Sequence, residues 1–267
     1  MIHSTAIVHP GARLDPTVQV GPYAVIDAGV TIGAHCVVGP HTYLTGETTI
    51  GSHNRFFAGC VVGEAPQDLH YKGEPTRLRI GDHNEIREHV TIHRSTKMEQ
   101  ETVLGSHNLL MASSHVAHNA HIGNHVVMVN GSLVAGYAQV DDYVVLGGIS
   151  GVHQYCRVGT LAMIQGNSGL SVDLPPYTIA CKLNILCGLN TVGMRRAGIS
   201  SAHRLELKQL YRDLFRGGVN MRSAVSAARE KYSSPPSVTM LDFISASKRG
   251  VCSDISRDPM EFEADEE

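Results

Sequence analysis

The sequence predicts a parallel β-helix followed by a small helical domain. Two observations support the prediction of the β-helix. Counting from Ile2, an apolar residue recurs at every sixth position up to Leu170, and only Asp68 and Glu74 interrupt the 29 positions of this series. Gly often follows the aliphatic residue, as in Ile32-Gly33, where a short strand must turn sharply. A strict period of six fits neither an amphipathic helix nor a plain strand, and it is typical of hexapeptide β-helices.

Three hexads make one triangular coil, so the series supplies between nine and ten coils that bury one another's aliphatic side chains. Two polar interruptions, Asp68–Arg79 and Lys97–Val103, keep the register and are therefore predicted as loops that project from the prism. The repeat ends near Pro175-Pro176, because proline cannot continue a ladder of backbone hydrogen bonds. We assign residues 1–190 to the β-helix.

From Ser200 the apolar residues adopt helical spacing. The pattern predicts a helix with Ser200 or Ser201 as its N-terminal cap and Gly217-Gly218 as its stop signal. Two further short helices are predicted at Met221–Tyr232 and Val238–Ser247. Residues 191–250 are therefore assigned to a C-terminal helical domain.

Charge is unevenly distributed along the chain, although the formal net charge is only −3. Residues 195–250 carry eleven Lys and Arg against four Asp and Glu, whereas residues 251–267 carry one Arg against seven acids. The basic segment could face an anionic partner, and the acidic end is expected to be a solvated, disordered tail. The basic residues lack interleaved aromatics, which argues against nucleic-acid binding.

Sequence composition bears on the cellular compartment in which the protein is expected. The chain has no run of about 18 apolar residues, as a spanning helix requires, and it does not start like a secretion signal. Its six cysteines form no CxxC pair, so neither a zinc ribbon nor a dithiol redox motif is predicted. We therefore expect a cytoplasmic protein.

Five segments together resemble the UDP-N-acetylglucosamine O-acyltransferases, the hexapeptide-repeat family that begins lipid A assembly. They are Gln67–Thr76, Ile86–Arg94, His115–Asn119, Gly151–Gln154 and Asp173–Tyr177. The resemblance implies a left-handed β-helix and a homotrimer with its active site between neighbouring prisms. It also implies transfer of a fatty acyl group, expected to be 3-hydroxylated, from acyl carrier protein to the 3-hydroxyl of UDP-N-acetylglucosamine, with no cofactor.

The resemblance also assigns roles to residues. It makes His118 the general base, because a neutral imidazole can accept the hydroxyl proton, and it gives the oxyanion the backbone N–H of Gly136. It implies substrate contacts for a larger set: Gln67, Asp68, His70, His115, Tyr137, His153, Gln154, Gly166, Asn190 and Arg196. An Arg at the nucleotide can clamp a diphosphate through paired N–H donors.

Four positions bear on which substrate is accepted. Tyr137 and His70 stand where the family commonly has His and Lys, and Asn119 stands where some members have Asp. Tyr137 cannot carry the charge of an imidazolium, so a different UDP-amino sugar, such as a 3-amino analogue, stays open as acceptor. Gly166 falls where the family sets acyl length, and its lack of a side chain favours about fourteen carbons over ten.

Three rival functions are weighed against this interpretation. An N-acyltransferase of the same pathway would carry a further N-terminal domain, whereas the hexads begin at Ile2. A non-catalytic paralogue would explain the changes at Tyr137 and His70. A zinc hydratase would use a set of histidines: His89, His93, His115, His118 and His121.

Other features of the sequence have simpler interpretations. Most remaining histidines occupy turn-like sites and are interpreted as solvated corner residues: His3, His9, His35, His41, His53, His83, His107 and His125. Four basic residues of the predicted helix are candidates for steering the acidic carrier protein: Arg204, Lys208, Arg212 and Arg216.

Overall fold

The computed structural model describes residues 1–254, which form a left-handed parallel β-helix followed by a helical domain, so the predicted fold class is confirmed. Three sheets form the faces of a triangular prism.

Sheet A contains β3 (Gln19–Val20), β6 (Val37–Val38), β9 (Arg55–Phe56), β12 (Glu85–Ile86), β15 (Leu109–Leu110), β18 (Val127–Met128), β21 (Val145–Leu146), β24 (Met163–Ile164), β26 (Thr178–Cys181), β27 (Ile185–Leu189) and β28 (Ser253–Asp254). Sheet B contains β1 (Ile7–Val8), β4 (Val25–Ile26), β7 (Tyr43–Leu44), β10 (Val61–Glu64), β13 (Thr91–His93), β16 (His115–Val116), β19 (Leu133–Val134), β22 (Gly151–Val152) and β25 (Gly169–Leu170). Sheet C contains β2 (Arg13–Leu14), β5 (Thr31–Ile32), β8 (Glu47–Ile50), β11 (Arg77–Ile80), β14 (Glu101–Leu104), β17 (His121–Ile122), β20 (Gln139–Val140) and β23 (Arg157–Val158).

The residue counted every sixth position is the second residue of each two-residue strand, and it points into the prism. Ile26, Leu44 and Val62, on successive strands of sheet B, are fully buried. Each such side chain contributes roughly 1.5–3 kcal/mol by leaving water. Two apolar members of the series are exposed: Ile2, which has no coil beneath it and is 53% exposed, and Met98, which lies in a loop and is 56% exposed.

Two loops interrupt the coils, at residues 65–76 and 94–100. The predicted loops ended three residues too late, because Arg77–Ile80 and Glu101–Leu104 are strands. Their alternating burial is a strand pattern that the polar character of these segments concealed. An ion pair from Arg79 to Glu101, 3.0 Å, joins the two strands on the outer face.

The helical domain contains α1 (Thr191–Arg196), α2 (Ser201–Phe215), α3 (Met221–Lys231) and α4 (Pro235–Ser245). Ser200 caps α2 by accepting a hydrogen bond from the backbone N–H of His203 at 3.2 Å. The chain then returns to the prism, where β28 pairs with β27. Residues 251–254 of the predicted tail are therefore part of the folded unit, and its remainder, 255–267, lies outside the described residues.

Across residues 1–254, the four helices include none with the length and apolar character needed to cross a membrane.

Candidate active site

A cleft of about 570 Å³ runs along the outer face of sheet B, beside β16, β19, β22 and β25. It brings together six of the twelve predicted site residues: Gln67, His115, His118, Gly136, His153 and Gln154. They come from three coils and one loop. The regular stacking of coils thus collects polar groups that are up to 87 positions apart in the sequence.

His118 lies at the corner that connects β16 to β17, and only 7% of it is exposed. Its Nδ1 is 3.0 Å from Oδ1 of Asn119. Asn119 has a φ of +58°, a left-handed conformation that Asn tolerates better than most residues. This conformation makes the tight corner at which the Asn119 side chain meets both His118 and the loop at 94–100.

The amide of Asn119 is held from three directions by the loop at 94–100. Its Oδ1 accepts hydrogen bonds from the backbone N–H and the hydroxyl of Thr96, at 3.0 and 2.9 Å. Its Nδ2 donates to Ser95 Oγ and Gln100 Oε1, both at 2.8 Å. Sequence reasoning did not find these loop residues, because no local pattern links a polar loop to a corner twenty residues away.

These contacts determine which nitrogen of His118 carries the proton. A backbone N–H can only donate, so the Asn119 atom that faces Thr96 must be the carbonyl oxygen. The same oxygen faces His118, whose Nδ1 must therefore be the protonated nitrogen of the neutral ring. Nε2 is then left with a lone pair that can accept a proton, as a general base requires.

Tyr137 stands behind His118 and does not line the cleft. Its ring meets the imidazole edge-on at 5.4 Å and stacks on Tyr155 at 4.8 Å. Its hydroxyl lies 2.9 Å from the hydroxyl of Thr96. Tyr137 therefore ends a chain of hydrogen bonds that runs from His118 through Asn119 and Thr96.

Gly136 lies directly against the imidazole of His118. A Cβ at this position would be 2.5 Å from Cε1 and 2.7 Å from Nε2 of that ring, so no other residue fits without displacing it. Within residues 1–254, the backbone N–H of Gly136 has no hydrogen-bond acceptor, and the residue lines the cleft. This N–H is available to a negatively charged oxygen beside His118.

His93 and His115 lie beside the base and are held neutral. Burial, reinforced by His115, lowers the pKa of His93 to about 4. Burial, with His118 nearby, also lowers the pKa of His115, whose Nδ1 lies 2.7 Å from the hydroxyl of Thr91. The imidazoles of His93 and His115 are therefore uncharged at neutral pH.

Gln67, Asp68 and His70 belong to the loop at 65–76. The guanidinium of Arg94 attaches this loop to the prism by donating to the hydroxyl of Tyr71 and to the backbone carbonyl of Gly63. Gln67 reaches the cleft. Asp68 and His70 do not line it, and the Asp68 carboxylate instead accepts the backbone N–H of His70 at 2.8 Å.

Gly166, Asn190 and Arg196 lie away from this cleft. Gly166 is exposed at a corner beside Gly148. Asn190 caps α1 by accepting the N–H of Gly193 at 2.9 Å, and its amide also donates to the carbonyl of Leu161. Arg196 is exposed in the last turn of α1.

Of the histidines of the zinc alternative, His93, His115 and His118 lie side by side, but they do not form a metal-binding set. No group of three or more His, Cys, Asp or Glu in the described range 1–254 is placed to hold a metal ion. His121 is exposed on sheet C, whereas His115 is on sheet B. The arrangement around His118 is suited to proton transfer between a hydroxyl and an imidazole.

The cleft also has an apolar side. Gly151 and Gly169 occupy outward positions on neighbouring strands of sheet B, so the floor there is flat, and Leu133 and Leu183 flank it. Leu133 is 51% exposed and Leu183 is 63% exposed. The cleft therefore offers polar groups at one end and an open apolar surface at the other.

Comparison with known proteins identifies the family to which this chain is similar. The family model described as UDP-N-acetylglucosamine O-acyltransferase, domain 2, matches residues 173–252, and the bacterial transferase hexapeptide model matches residues 11–46. An acyl-carrier-protein-dependent UDP-N-acetylglucosamine O-acyltransferase of Trichlorobacter lovleyi is 55% identical over 257 residues, covering 94% of this chain and 98% of the relative. The chain belongs to the UDP-N-acetylglucosamine O-acyltransferase family.

Other members of the family agree with this assignment. The enzyme of the same name from Paraburkholderia xenovorans is 46% identical over 94% of this chain and 98% of its own length. The structure of LpxA from Acinetobacter baumannii superposes with a TM-score of 0.90 at 40% identity, covering 94% of this chain and 98% of that one. The Arabidopsis UDP-N-acetylglucosamine acyltransferase gives a TM-score of 0.85 at 33% identity, covering 95% and 100%.

Proposed function

We propose that this chain transfers a fatty acyl group, 3-hydroxylated, from acyl carrier protein to the 3-hydroxyl of UDP-N-acetylglucosamine, the first step of lipid A biosynthesis. The proposal depends on one observation. His118, whose Nε2 has a free lone pair, and the Gly136 N–H, which has no acceptor within residues 1–254, lie in the same cleft. The names of its relatives, which describe the same acyl donor and acceptor, support it.

The reaction follows from these two groups. His118 Nε2 takes the proton of the sugar hydroxyl as its oxygen attacks the thioester carbonyl, and the new C–O bond creates a tetrahedral oxyanion that the Gly136 N–H stabilises. The intermediate collapses, the C–S bond breaks, and the imidazolium returns its proton to the departing thiolate. The thioester is already activated, so we propose that the reaction needs no cofactor.

The remaining predicted residues are proposed to bind substrate. Gln67, His115, His153 and Gln154 line the polar end of the cleft, where they can hydrogen-bond the sugar nucleotide. The flat apolar end can accept an acyl chain. Asp68, His70, Tyr137, Gly166, Asn190 and Arg196 keep their proposed roles as contacts made after a neighbouring chain or a substrate closes the site.

A homotrimer is proposed as the active assembly. Leu133 and Leu183 line the cleft and are exposed, Ile149 is exposed as well, and apolar surface of this kind usually marks an interface. A neighbouring prism could then bring residues such as Gly166 and Arg196 to the cleft. Light scattering should give three times the chain mass, and a monomer or dimer would contradict this.

The carrier protein is proposed to approach along the basic face of α2, formed by Arg204, Lys208, Arg212 and Arg216, because carrier proteins are acidic. We also propose that the reaction takes place in the cytoplasm.

The test is product formation from 3-hydroxyacyl carrier protein and UDP-N-acetylglucosamine. The native chain should make the 3-O-acyl product, and His118→Ala should reduce the rate at least about a hundredfold. His121→Ala, at an exposed histidine one strand away, is the matched control and should leave the rate unchanged.

The same assay with the 3-amino analogue tests a second acceptor. The observation in its favour is that the Tyr137 hydroxyl is already engaged by Thr96. A native chain that acylates only the amine would reassign the acceptor, and a chain inactive on both sugars would contradict the enzymatic proposal.

A further inference from the structure

A second groove, of about 440 Å³, lies between α2 and β27. Its floor is mainly apolar and includes Leu189, Leu205 and Tyr211. Its rim carries four cationic side chains: Arg204, Lys208, Arg212 and Arg216. Leu205 is 58% exposed, so an apolar surface stands open directly beneath a row of positive charges.

The described part of the chain ends at this groove. Asp254, in β28, is 4% exposed and accepts hydrogen bonds from the Tyr211 hydroxyl at 2.5 Å and from Arg216 Nε at 3.1 Å. Both partners line the groove. Whatever follows Asp254 therefore starts beside the cationic rim.

The sequence after Asp254 complements the groove. Residues 255–267 contain six acids and one Arg, and Met260 and Phe262 are its large apolar residues after Ile255. These two alternate with Glu261 and Glu263, so an extended backbone would present apolar side chains on one face and carboxylates on the other.

The segment is long enough to cover the groove. Thirteen residues extend up to about 43 Å, whereas the twelve helical steps from Arg204 in α2 to Arg216 at its C-cap span only about 18 Å. A tethered segment has an effective concentration in the millimolar range, so even a weak contact would be populated.

We propose that residues 255–267 dock in this groove, with Met260 and Phe262 on its apolar floor and the acidic residues along its basic rim. The tail would then compete with the acidic carrier protein for the same cations. This competition rests on the proposed function, whereas the docking itself does not.

A binding experiment tests the docking. The probe is a fluorescent peptide of residues 255–267, added to the full-length protein at low salt and followed by anisotropy. Native protein should bind it weakly, because the tethered tail occupies the groove, and full-length Met260→Ser/Phe262→Ser should bind it at least tenfold more tightly. Ser256→Ala, in the same segment, is the matched control and should behave as native.

The position of binding is tested by adding Leu205→Glu to the tail variant, which places a negative charge on the exposed floor and should abolish binding of the peptide. Equal binding to native and tail-variant proteins, or binding that Leu205→Glu leaves intact, would overturn the docking.

Kinetics test the competition separately. The tail variant should lower the KM for acyl carrier protein about threefold or more, with kcat and the KM for the sugar nucleotide unchanged. An unchanged KM for the carrier, together with tight peptide binding, would overturn the competition and leave the docking supported. An inactive native enzyme that still shows the binding difference would count against the proposed function alone.

Discussion

At the scale of single residues, His118 depends on its neighbours more than on its own position in the repeat. Asn119 supplies a neutral acceptor at Nδ1, and Thr96 fixes the orientation of that amide through a backbone N–H. A neutral partner can orient the ring and select its tautomer without adding a charge to the site. Orientation is therefore the function that substitutions here should impair.

We expect Asn119→Ala to lower kcat about 10- to 100-fold with little change in either KM, because the imidazole would lose its fixed tautomer and orientation. Steady-state kinetics with both substrates provide the measurement. Asn167→Ala is the matched control, since Asn167 also has a φ of +58° but is exposed at another corner. A change in KM with kcat unaltered would contradict a positioning role for Asn119.

Gly136→Ala should cost at least about a hundredfold in kcat, because its Cβ would meet the His118 ring at 2.5 Å and displace it. Gly151→Ala provides the comparison for kcat alone: its Cβ would meet no atom within 4 Å, so kcat should be kept, although the acyl floor changes and with it the KM for the acyl donor. Near-native activity of Gly136→Ala would mean that the imidazole does not work from the observed position.

At the scale of elements, the corners of the prism form ladders from one coil to the next. Five histidines predicted as solvated corner residues are indeed exposed, but they also stack in one column with centroids 4.6–4.9 Å apart: His35, His53, His83, His107 and His125. Inside the same corner, the side chains of Asn54, Asn84 and Asn108 hydrogen-bond backbone groups of the next coils. The corners therefore stabilise the stacking of coils as well as turning the chain.

Asn84→Ala should lower the free energy of unfolding by about 2–4 kcal/mol, because it leaves the N–H of Asn108 and the carbonyl of Gly105 buried without these partners. Denaturant unfolding measures the loss. Gln139→Ala, on an exposed strand position, should change stability by less than about 0.5 kcal/mol. A similar effect from both substitutions would show that the ladder contributes little.

At the scale of the whole molecule, buried histidine makes folding sensitive to acid. The folded state keeps His93 neutral down to about pH 4, whereas the unfolded chain protonates it near its ordinary value of 6.5. Well above pH 6.5, His93 is unprotonated in both the folded and the unfolded state. As the pH falls from 6.5 toward 4, only the unfolded state gains a proton, so stability decreases.

His93→Gln should therefore remove part of the acid sensitivity, up to about 3 kcal/mol between pH 6.5 and 4. Urea unfolding of the native and variant proteins at several pH values tests this. The same change at exposed His121 serves as control and should leave the native slope in place. If the free energy of unfolding fell equally with pH in the native protein and in His93→Gln, His93 would not be the source of the acid sensitivity.

The sequence determined the prism because a period of six is a local property, repeated often enough to specify every coil. A resemblance to a known family also predicted roles for His118 and Gly136, which lie against each other in the structure. The beginning of α2 and its cap could likewise be predicted, since both depend on residues close together in the chain.

Only the tertiary structure decided what surrounds those residues. The contacts of Asn119 with Thr96, Ser95 and Gln100, and the meeting of Asp254 with Tyr211, join segments whose separation no local pattern encodes. The proton position on His118 likewise follows from one backbone N–H in a distant loop. A periodic sequence specifies which face a side chain occupies, whereas its hydrogen-bond partners depend on how irregular loops fold back onto that face.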